Sequence, residues 1–530
     1  MKKPLVFHPF LFSLFPILAL YAYNIKSIPV PLKELAGPLA LSLASAAVIF
    51  LAFSAILRAP ARAGLLASLI VLWILSFGHL ARWTAVWTEG IFNRSLFFGT
   101  ALLVGLTAFL IVRSRRDLGS LTRVLNVVSA TLVLLNVASA TQTLARRPHI
   151  GRDSEAPVAR QAAVRPNIYY IVLDAYTRAD ILEEVFSFDN APFLSALEAR
   201  GFVVADRSYA NYNLTHQSLA SSLNFTLLDL MAKDVGSVSS DREPLYAMIR
   251  ENRAMAFFKS QGYKLVTVSS SIEPTDFRSV DRYFGFALSD SEFRSVLLST
   301  TPWPLFFGSG QSAESYDAHR GRILNAFRAL EDSAYEKGPF FMFVHVMAPH
   351  PPFVFGPNGE SVEPDYLFSM VDADRLHGGS ETALIDYIVR YRDQLAFLNT
   401  MILKAVDAIL GHSPEPPVII LQGDHGSRAY TDLDRPEASY FKENLAILNA
   451  FHLPGSAGDL ISPTITPVNT FRLIFKHYFG ADLDPLPDES AWTTWRHPYR
   501  FLPFAEAAYK GTVKSVKAEM KPEVPAVQMR

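Results

Sequence analysis

The sequence predicts a multi-pass α-helical membrane domain followed by an α/β domain, in which helices sandwich a mainly parallel sheet. Up to about residue 144, long apolar runs alternate with short polar loops, and after Pro166 short strand-like runs alternate with helical patterns. The composition agrees, because 50% of the residues are hydrophobic and the mean hydropathy is +0.18. A chain of 530 residues also exceeds one ordinary hydrophobic core, so two or more domains are expected.

Charge and cysteine content exclude several classes of protein. The formal net charge is −1, which gives no sign of an extended nucleic-acid surface. The chain contains no cysteine, and this excludes disulfide bonds, cysteine-ligated zinc and a thiol nucleophile.

The predicted membrane domain, residues 1–144, contains five runs close to the roughly 20 apolar residues that cross a bilayer. The first run follows a basic N-terminus and resembles a signal peptide. It lacks a clear small-residue cleavage site and more runs follow, so we expect it to be retained. The runs are Leu5–Tyr23, Leu39–Leu57, Gly64–Ala81, Ser95–Val112 and Val124–Thr143.

Basic residues in alternate loops predict the orientation of these spans. The positive-inside rule places such loops in the cytoplasm, so five crossings put the chain after Thr143 outside the membrane. The residues are Lys2, Lys3, Arg58, Arg62, Arg113, Arg115, Arg116 and Arg123.

Three further segments follow. Residues 145–165 are expected to be a juxtamembrane linker, with arginines that are either solvated or in contact with anionic lipid headgroups. Residues 166–509 are the predicted extracytoplasmic catalytic domain, and 510–530 a mobile tail. Within 166–509 the predicted strands are 167–173, 202–205, 263–268, 340–346, 418–421 and 445–451, and the predicted helices are 191–200, 245–261, 315–334, 381–410 and 467–479.

Acidic residues end two of the predicted strands. Asp174 follows the run 168–173, and Asp424 with His425 follows the run 418–421, between Gly423 and Gly426. Ligands of open α/β sheets bind beyond the carboxyl ends of the strands, and Asp and His are common metal ligands. We therefore expect a metal site there, the alternative for Asp174 being a cap for the next turn.

Thr215 is the candidate nucleophile. The small and apolar spacing after Leu214 predicts a helix that starts at Thr215, where the helix dipole favours negative charge. A hydroxyl held there beside a divalent cation can ionise and attack phosphorus. The alternatives are a plain N-cap threonine, and Ser218 one turn later as the nucleophile.

Together, Asp174, Thr215 and the sequence Gly423-Asp424-His425-Gly426 resemble the alkaline phosphatase superfamily. The resemblance covers roughly residues 166–480, and it is closest to the membrane-anchored sulfatase-like branch of lipoteichoic acid synthases and lipid A phosphoethanolamine transferases. It implies an alkaline phosphatase-like fold, with Thr215 as nucleophile and with Asp174, Thr215, Asp424 and His425 around one metal ion. It further implies a phospholipid donor, a glycan or lipid acceptor, and a bacterial inner membrane location.

The sequence departs from that branch in some respects. Asp174 stands where the transferases usually carry glutamate, and a shorter carboxylate remains a plausible ligand. The Cys/Ser-x-Pro-x-Arg signature of formylglycine sulfatases and the Asp-x-x-x-His motif of two-zinc phosphodiesterases are both missing. One metal is therefore expected, zinc by resemblance to the phosphoethanolamine transferases or manganese by resemblance to the lipoteichoic acid synthases.

Other polar residues are weaker candidates. His350 lies in a His-Pro element beyond the strand 340–346, and would protonate the leaving group or hold a phosphate oxygen, or else brace its loop. His345, inside that strand, is interpreted as structural. Arg178, His216, Ser218 and Arg428 are candidates for substrate binding.

The expected function is metal-dependent transfer of a phospho-substituted headgroup from a phospholipid through a phospho-threonine intermediate. The alternative is a membrane-anchored phosphate or sulfate ester hydrolase that uses the same groups. A catalytically inactive lipid-sensing relative is disfavoured because the four proposed metal-site residues are intact.

Overall fold

The computed structural model describes residues 5–25, 30, 32–88, 93–145, 165–270, 272–286, 292–362, 381–509 and 511. The predicted linker and tail lie almost entirely outside these residues. The chain divides into two compact units, of which the first contains residues 1–147 and 290–313 and the second contains residues 148–289 and 314–530. Residues 290–313 thus belong with the N-terminal helices, whereas the sequence analysis placed them in the catalytic domain.

The first unit contains five long N-terminal helices. They are α1 (His8–Asn24), α2 (Lys33–Leu57), α3 (Pro60–Thr88), α4 (Asn93–Arg113) and α5 (Gly119–Ala145).

Length and apolarity identify five described helical segments that could cross a membrane: Lys33–Leu57, Pro60–Ala81, Arg94–Arg113, Gly119–Ala145 and Thr382–His412. The first four coincide with predicted runs. The remaining predicted run forms α1, whose 17 residues are one fewer than the 18 required of such a segment. The segment Thr382–His412 belongs to the second unit, where one of its faces, including Tyr391 and Leu395, is buried in the core.

The second unit is built of short helices and strands. Its strands are β1 (Ile168–Leu173), β2 (Phe202–Val204), β3 (Lys264–Val268), β4 (Arg282–Phe284), β5 (Phe340–Val346), β6 (Val418–Gly423), β7 (Asn449–His452), β8 (Ser490–Trp492) and β9 (Leu502–Phe504). The later helices of the chain are α6 (Ala179–Phe186), α7 (Ala191–Glu198), α8 (Thr215–Asn224), α9 (Asp229–Val235), α10 (Glu243–Arg250), α11 (Arg253–Ser260), α12 (Glu292–Ser299), α13 (Trp303–Ser333), α14 (Glu381–His412), α15 (Phe441–Leu445) and α16 (Pro467–Phe479). Of these, α12 and the start of α13 belong to the first unit.

Seven strands form one sheet in the order β2-β7-β6-β1-β5-β3-β4. Among the described strands of this sheet, only β7 runs against the others. This confirms the predicted α/β class and mainly parallel sheet. Strands β1, β5 and β6 are buried along their whole length, which explains why their sequences are continuous apolar runs rather than alternating ones.

The register of the central strands brings their carboxyl ends to one edge of the sheet. Leu173, the last residue of β1, pairs with Gly423 of β6 on one side and with Val346 of β5 on the other. The residues that follow these strand ends are therefore neighbours in space.

Three predicted elements differ clearly from the structure. The helix predicted at 315–334 begins earlier, because α13 already starts at Trp303. The single helix predicted at 245–261 is two helices, because Asn252 caps α11 by accepting a hydrogen bond from the Met255 N–H at 2.8 Å. The strand predicted at 445–451 is shorter, because α15 occupies its first residue and β7 begins only at Asn449.

Candidate metal and nucleophile site

Three acidic and imidazole groups meet where β1 and β6 end. Asp174, Asp424 and His425 each offer a ligand atom, and these atoms lie within 4.8 Å of one another. His425 Nε2 is 3.6 Å from Asp174 Oδ1 and 3.7 Å from Asp424 Oδ2. The parallel register of β1 and β6 accounts for this convergence, since it places positions 174 and 424 side by side.

The burial of these groups fits a bound cation. Asp174 and Asp424 are 1% and 2% exposed. Asp174 Oδ1 and Asp424 Oδ2 have no hydrogen-bond partner among the described residues. Two buried carboxylate oxygens left without donors would be strongly unfavourable unless a cation or a proton compensates them. The donor set of two carboxylates and one imidazole suits a divalent metal such as zinc or manganese.

The hydrogen bonds of His425 define which ring nitrogen is available. Its Nδ1 is 2.8 Å from the carbonyl oxygen of Gly426, which only accepts, so Nδ1 carries the proton. Nε2 then has a lone pair, which faces both carboxylates and accepts a hydrogen bond from Arg428 Nη2 at 3.0 Å. Burial lowers the pKa of His425, which favours the neutral ring that a metal requires.

Thr215 begins α8 and completes the cluster. Its Oγ1 lies 3.3 Å from His425 Nε2, and its side chain is partly exposed. The N-cap residue is Leu214, so Thr215 is the first residue inside the helix and not the cap. Ser218, the competing nucleophile, is 1% exposed, and this favours Thr215.

Two histidines surround the Asp174 carboxylate and its backbone. His345 Nε2 lies 3.3 Å from Asp174 Oδ2, and its Nδ1 lies 3.0 Å from the Thr275 hydroxyl. The His350 N–H donates to the carbonyl of Asp174, and the His350 and His425 ring centroids are 6.3 Å apart.

When they are protonated, these imidazoles stabilise the ionised form of Asp174. Burial alone would raise the pKa of Asp174, but the net shift is downward because His350, His345 and His425 lie around the carboxylate. The carboxylate is therefore held in the form that binds a metal.

The protonation of His350 restricts its chemistry. Its Nδ1 hydrogen-bonds the Pro351 carbonyl, so in the neutral ring Nε2 carries no proton. Burial also lowers the pKa of His350. His350 can therefore act as an acid only after its Nε2 has accepted a proton.

The candidate substrate-binding residues differ in their surroundings. Arg428 Nη2 is 3.0 Å from His425 Nε2, and the His216 ring packs against Trp495 with centroids 5.9 Å apart. Arg178 instead pairs with Asp180 at 2.7 Å and donates to the Ser208 carbonyl. Its described contacts therefore hold the start of α6 in place.

Glu443 is a buried acid that the sequence analysis did not single out. Its carboxylate accepts hydrogen bonds from the Ser427 hydroxyl and from the backbone N–H groups of Ala429 and Tyr430. It thereby fixes the loop that follows His425 and carries Arg428. A lone Glu in a short amphipathic segment gives no sequence signal of this role.

The comparisons with known proteins agree with the fold. The profile of the sulfatase family matches residues 166–464. Among curated proteins, none matches the chain.

Similar solved structures include a periplasmic domain of EcEptC, a phosphoethanolamine transferase and a lipoteichoic acid synthase. The zinc complex of the C-terminal periplasmic domain of EcEptC from Escherichia coli is 11% identical, covers 66% of this chain and 96% of its own, and has a TM-score of 0.44. The lipooligosaccharide phosphoethanolamine transferase EptA from Neisseria meningitidis is 11% identical, covers 86% of this chain and 94% of its own, and has a TM-score of 0.39. The lipoteichoic acid synthase LtaP from Listeria monocytogenes is 15% identical, covers 61% of this chain and 74% of its own, and has a TM-score of 0.36.

A mainly parallel α/β sheet with a buried Asp/Asp/His cluster at its carboxyl edge agrees with an enzyme of the alkaline phosphatase-like class. Since the family profile spans more than half of the chain, this protein belongs to the sulfatase family.

Loss of either carboxylate should abolish metal binding. We expect purified Asp174→Asn and Asp424→Asn variants to retain little zinc or manganese by elemental mass spectrometry, and to lose the rise in unfolding temperature that added metal gives the unaltered chain. Asp432→Asn is the matched control, because Asp432 lies in the following loop and pairs with Arg435. Equal metal content in all three variants would contradict the assigned ligands.

Glu443 should make stability fall as the pH rises. Burial raises its pKa from 4.5 to about 7, so between these values the unfolded chain releases a proton that the folded chain retains. The free energy of unfolding should drop by about 3 kcal/mol across this interval. We expect Glu443→Gln to flatten the decline in unfolding midpoint between pH 5 and pH 8, whereas Glu437→Gln, at an exposed position, leaves it unchanged. A decline of equal size in Glu443→Gln and the unaltered chain would refute this assignment.

Proposed function

We propose that this enzyme transfers a phospho-substituted headgroup, of the phosphoethanolamine or phosphoglycerol type, from a membrane phospholipid to a hydroxyl group of a cell-envelope glycan or lipid. The observation that carries the proposal is the position of Thr215. A partly exposed hydroxyl at a helix N-terminus lies 3.3 Å from His425 Nε2, within a buried cluster that suits a metal. The Thr-x-x-Ser spacing of Thr215 and Ser218 also resembles the nucleophile segment of phosphoethanolamine transferases.

Asp174, Asp424, His425 and Thr215 would hold one divalent metal, zinc or manganese. When bound, such a metal favours the ionised hydroxyl and neutralises charge on phosphate oxygens. The start of α8 adds to this effect, because its free N–H groups and dipole favour negative charge at Thr215.

In the first step, Thr215 Oγ attacks the phosphorus of the donor phosphodiester. The bond between phosphorus and the diacylglycerol oxygen breaks, and the headgroup phosphate becomes attached to Thr215. The hydroxyl of Thr215 releases one proton and the departing oxygen needs one. His350 could relay it, since its Nε2 can accept a proton before donating it.

In the second step, the acceptor hydroxyl attacks the same phosphorus and the bond between phosphorus and Thr215 Oγ1 breaks. The proton of the acceptor hydroxyl passes to the departing Thr215 oxygen, which restores the free hydroxyl. The groups that stabilise the first transition state also stabilise the second, because the charge again develops on the phosphate oxygens. Arg428, 3.0 Å from His425 Nε2, is the described arginine best placed to assist. His216, next to Thr215 and against Trp495, would contact the donor headgroup.

The N-terminal helices support a lipid donor. Four of them have the length and apolarity of membrane spans, and α1 is one residue short of that length. With the basic residues in alternate loops, we propose a multi-pass protein of the bacterial inner membrane whose second unit lies outside the cytoplasm. A catalytic unit tethered beside the outer leaflet would meet a phospholipid headgroup directly.

The second candidate is hydrolysis, in which water takes the place of the acceptor. Membership of the sulfatase family favours it, since the same groups would cleave a phosphate or sulfate ester. The chain lacks the Cys/Ser-x-Pro-x-Arg signature from which a formylglycine forms, which disfavours the sulfatase version of this reaction.

Thr215→Ala should abolish the release of diacylglycerol from a fluorescent-headgroup phospholipid. Thr215→Ser, which keeps a hydroxyl, should retain activity within about 10- to 100-fold of the unaltered chain, and a chelator should remove activity from both. Ser218→Ala is the matched control and should remain active. Release that survives Thr215→Ala and chelation would eliminate this mechanism.

The membrane topology has an independent test. A reporter enzyme that is active only outside the cytoplasm should be active when fused after Arg160, and inactive when fused after Arg116. The reverse pattern would overturn the proposed orientation.

A further inference from the structure

A stretch without charge interrupts the second unit. Residues 295–313 contain no Asp, Glu, Lys or Arg and include Trp303 and Phe306. The structure assigns residues 290–313 to the first compact unit, together with α1 to α5. The proposed transfer reaction gives this stretch no role.

Helix α12 packs on the ends of three of these helices. Phe293 and Leu297, 6% and 8% exposed, form a cluster with Tyr21 of α1, Leu35 of α2 and Ala140 of α5. The Tyr21 and Phe293 rings meet edge-on with centroids 6.4 Å apart.

The residues that follow α12 contact the other two helices. Gly78 of α3 donates its N–H to the Thr300 carbonyl at 2.7 Å, and a Cβ at position 78 would collide with the Ser299 carbonyl oxygen. Phe306, in the first turn of α13, packs edge-on against Phe97 of α4 with centroids 4.7 Å apart.

All of these contacts lie at the same end of the helical unit along its helix axes. Tyr21, Gly78 and Ala140 lie towards the C-terminal ends of α1, α3 and α5, whereas Leu35 and Phe97 lie near the starts of α2 and α4. They also lie near the ends of the apolar segments, since those of α3 and α4 are Pro60–Ala81 and Arg94–Arg113. In a membrane, this level is the boundary between hydrocarbon and headgroups.

We infer that residues 295–306 form a membrane-interface segment whose partner is the lipid bilayer. Trp303 and Phe306 are 44% and 55% exposed at the level where membrane proteins concentrate aromatic side chains. Phe98, next to the Phe97 contact, is 65% exposed and continues the apolar surface along α4. An uncharged aromatic surface continuous with a lipid-facing helix fits a bilayer better than an aqueous protein partner.

Single-cysteine labelling tests this inference, because the full chain has no cysteine of its own. Spin labels would be attached to Trp303→Cys and Phe306→Cys in phospholipid vesicles, and their accessibility to oxygen and to a water-soluble nickel chelate measured. The controls are Leu103→Cys, 62% exposed within α4, and Tyr335→Cys, 69% exposed between α13 and β5 of the second unit. Thermal unfolding would verify that each variant is folded.

We expect labels at 303 and 306 to report a depth about 5–10 Å inside the headgroup–acyl boundary, between the depths of the two controls. Nickel accessibility equal to that at 335 would overturn the inference. Spin–spin broadening that disappears when labelled protein is diluted with unlabelled protein would instead identify a second copy as the partner, and would also overturn it. The result is independent of headgroup transfer, because no measurement depends on catalysis.

Discussion

The parallel pairing of β1 with both β5 and β6 is the constraint on which the candidate site depends. It makes Leu173, Val346 and Gly423 neighbours, so that the residues just beyond them meet at one edge of the sheet. Asp174, Asp424 and His425 converge for this reason, although 250 positions separate the first from the second along the chain. A shift of one residue in the β1–β6 pairing would turn Asp174 and Asp424 to opposite faces of the sheet.

A second layer of contacts holds these groups in place. His345 and the carbonyl of Gly426 orient Asp174 and His425, and Glu443 fixes the loop beyond them. Gly426 has no room for a side chain, because a Cβ there would collide with the carbonyl oxygen of Glu443. Buried carboxylates are unfavourable in an apolar interior, so the groups that surround them must hold them in place.

The sequence was sufficient for features that depend on local pattern. Asp174 and Asp424 were identified because each is an acid that follows an apolar strand. The spacing of small and apolar residues after Leu214 identified Thr215 as the start of α8. Features that depend on distant partners were not accessible in this way. Glu443 acts by holding a loop that precedes it in the chain. The contact between His345 and Asp174 requires the β1–β5 register. The uncharged stretch 295–313 could not be assigned to the helical unit before its contacts with α1 to α5 were known.

The position of Gly78 beside Ser299 and Thr300 has a consequence for biosynthesis. During translation α1 to α5 are complete long before residues 292–306 exist, and the sequences of β1 to β4 emerge in between. Until then Gly78 of α3 and the apolar ends of α1 and α2 lack the residues that cover them in the finished protein. The helical unit therefore matures late, and a nascent chain that ends before residue 292 would carry an incompletely covered membrane unit.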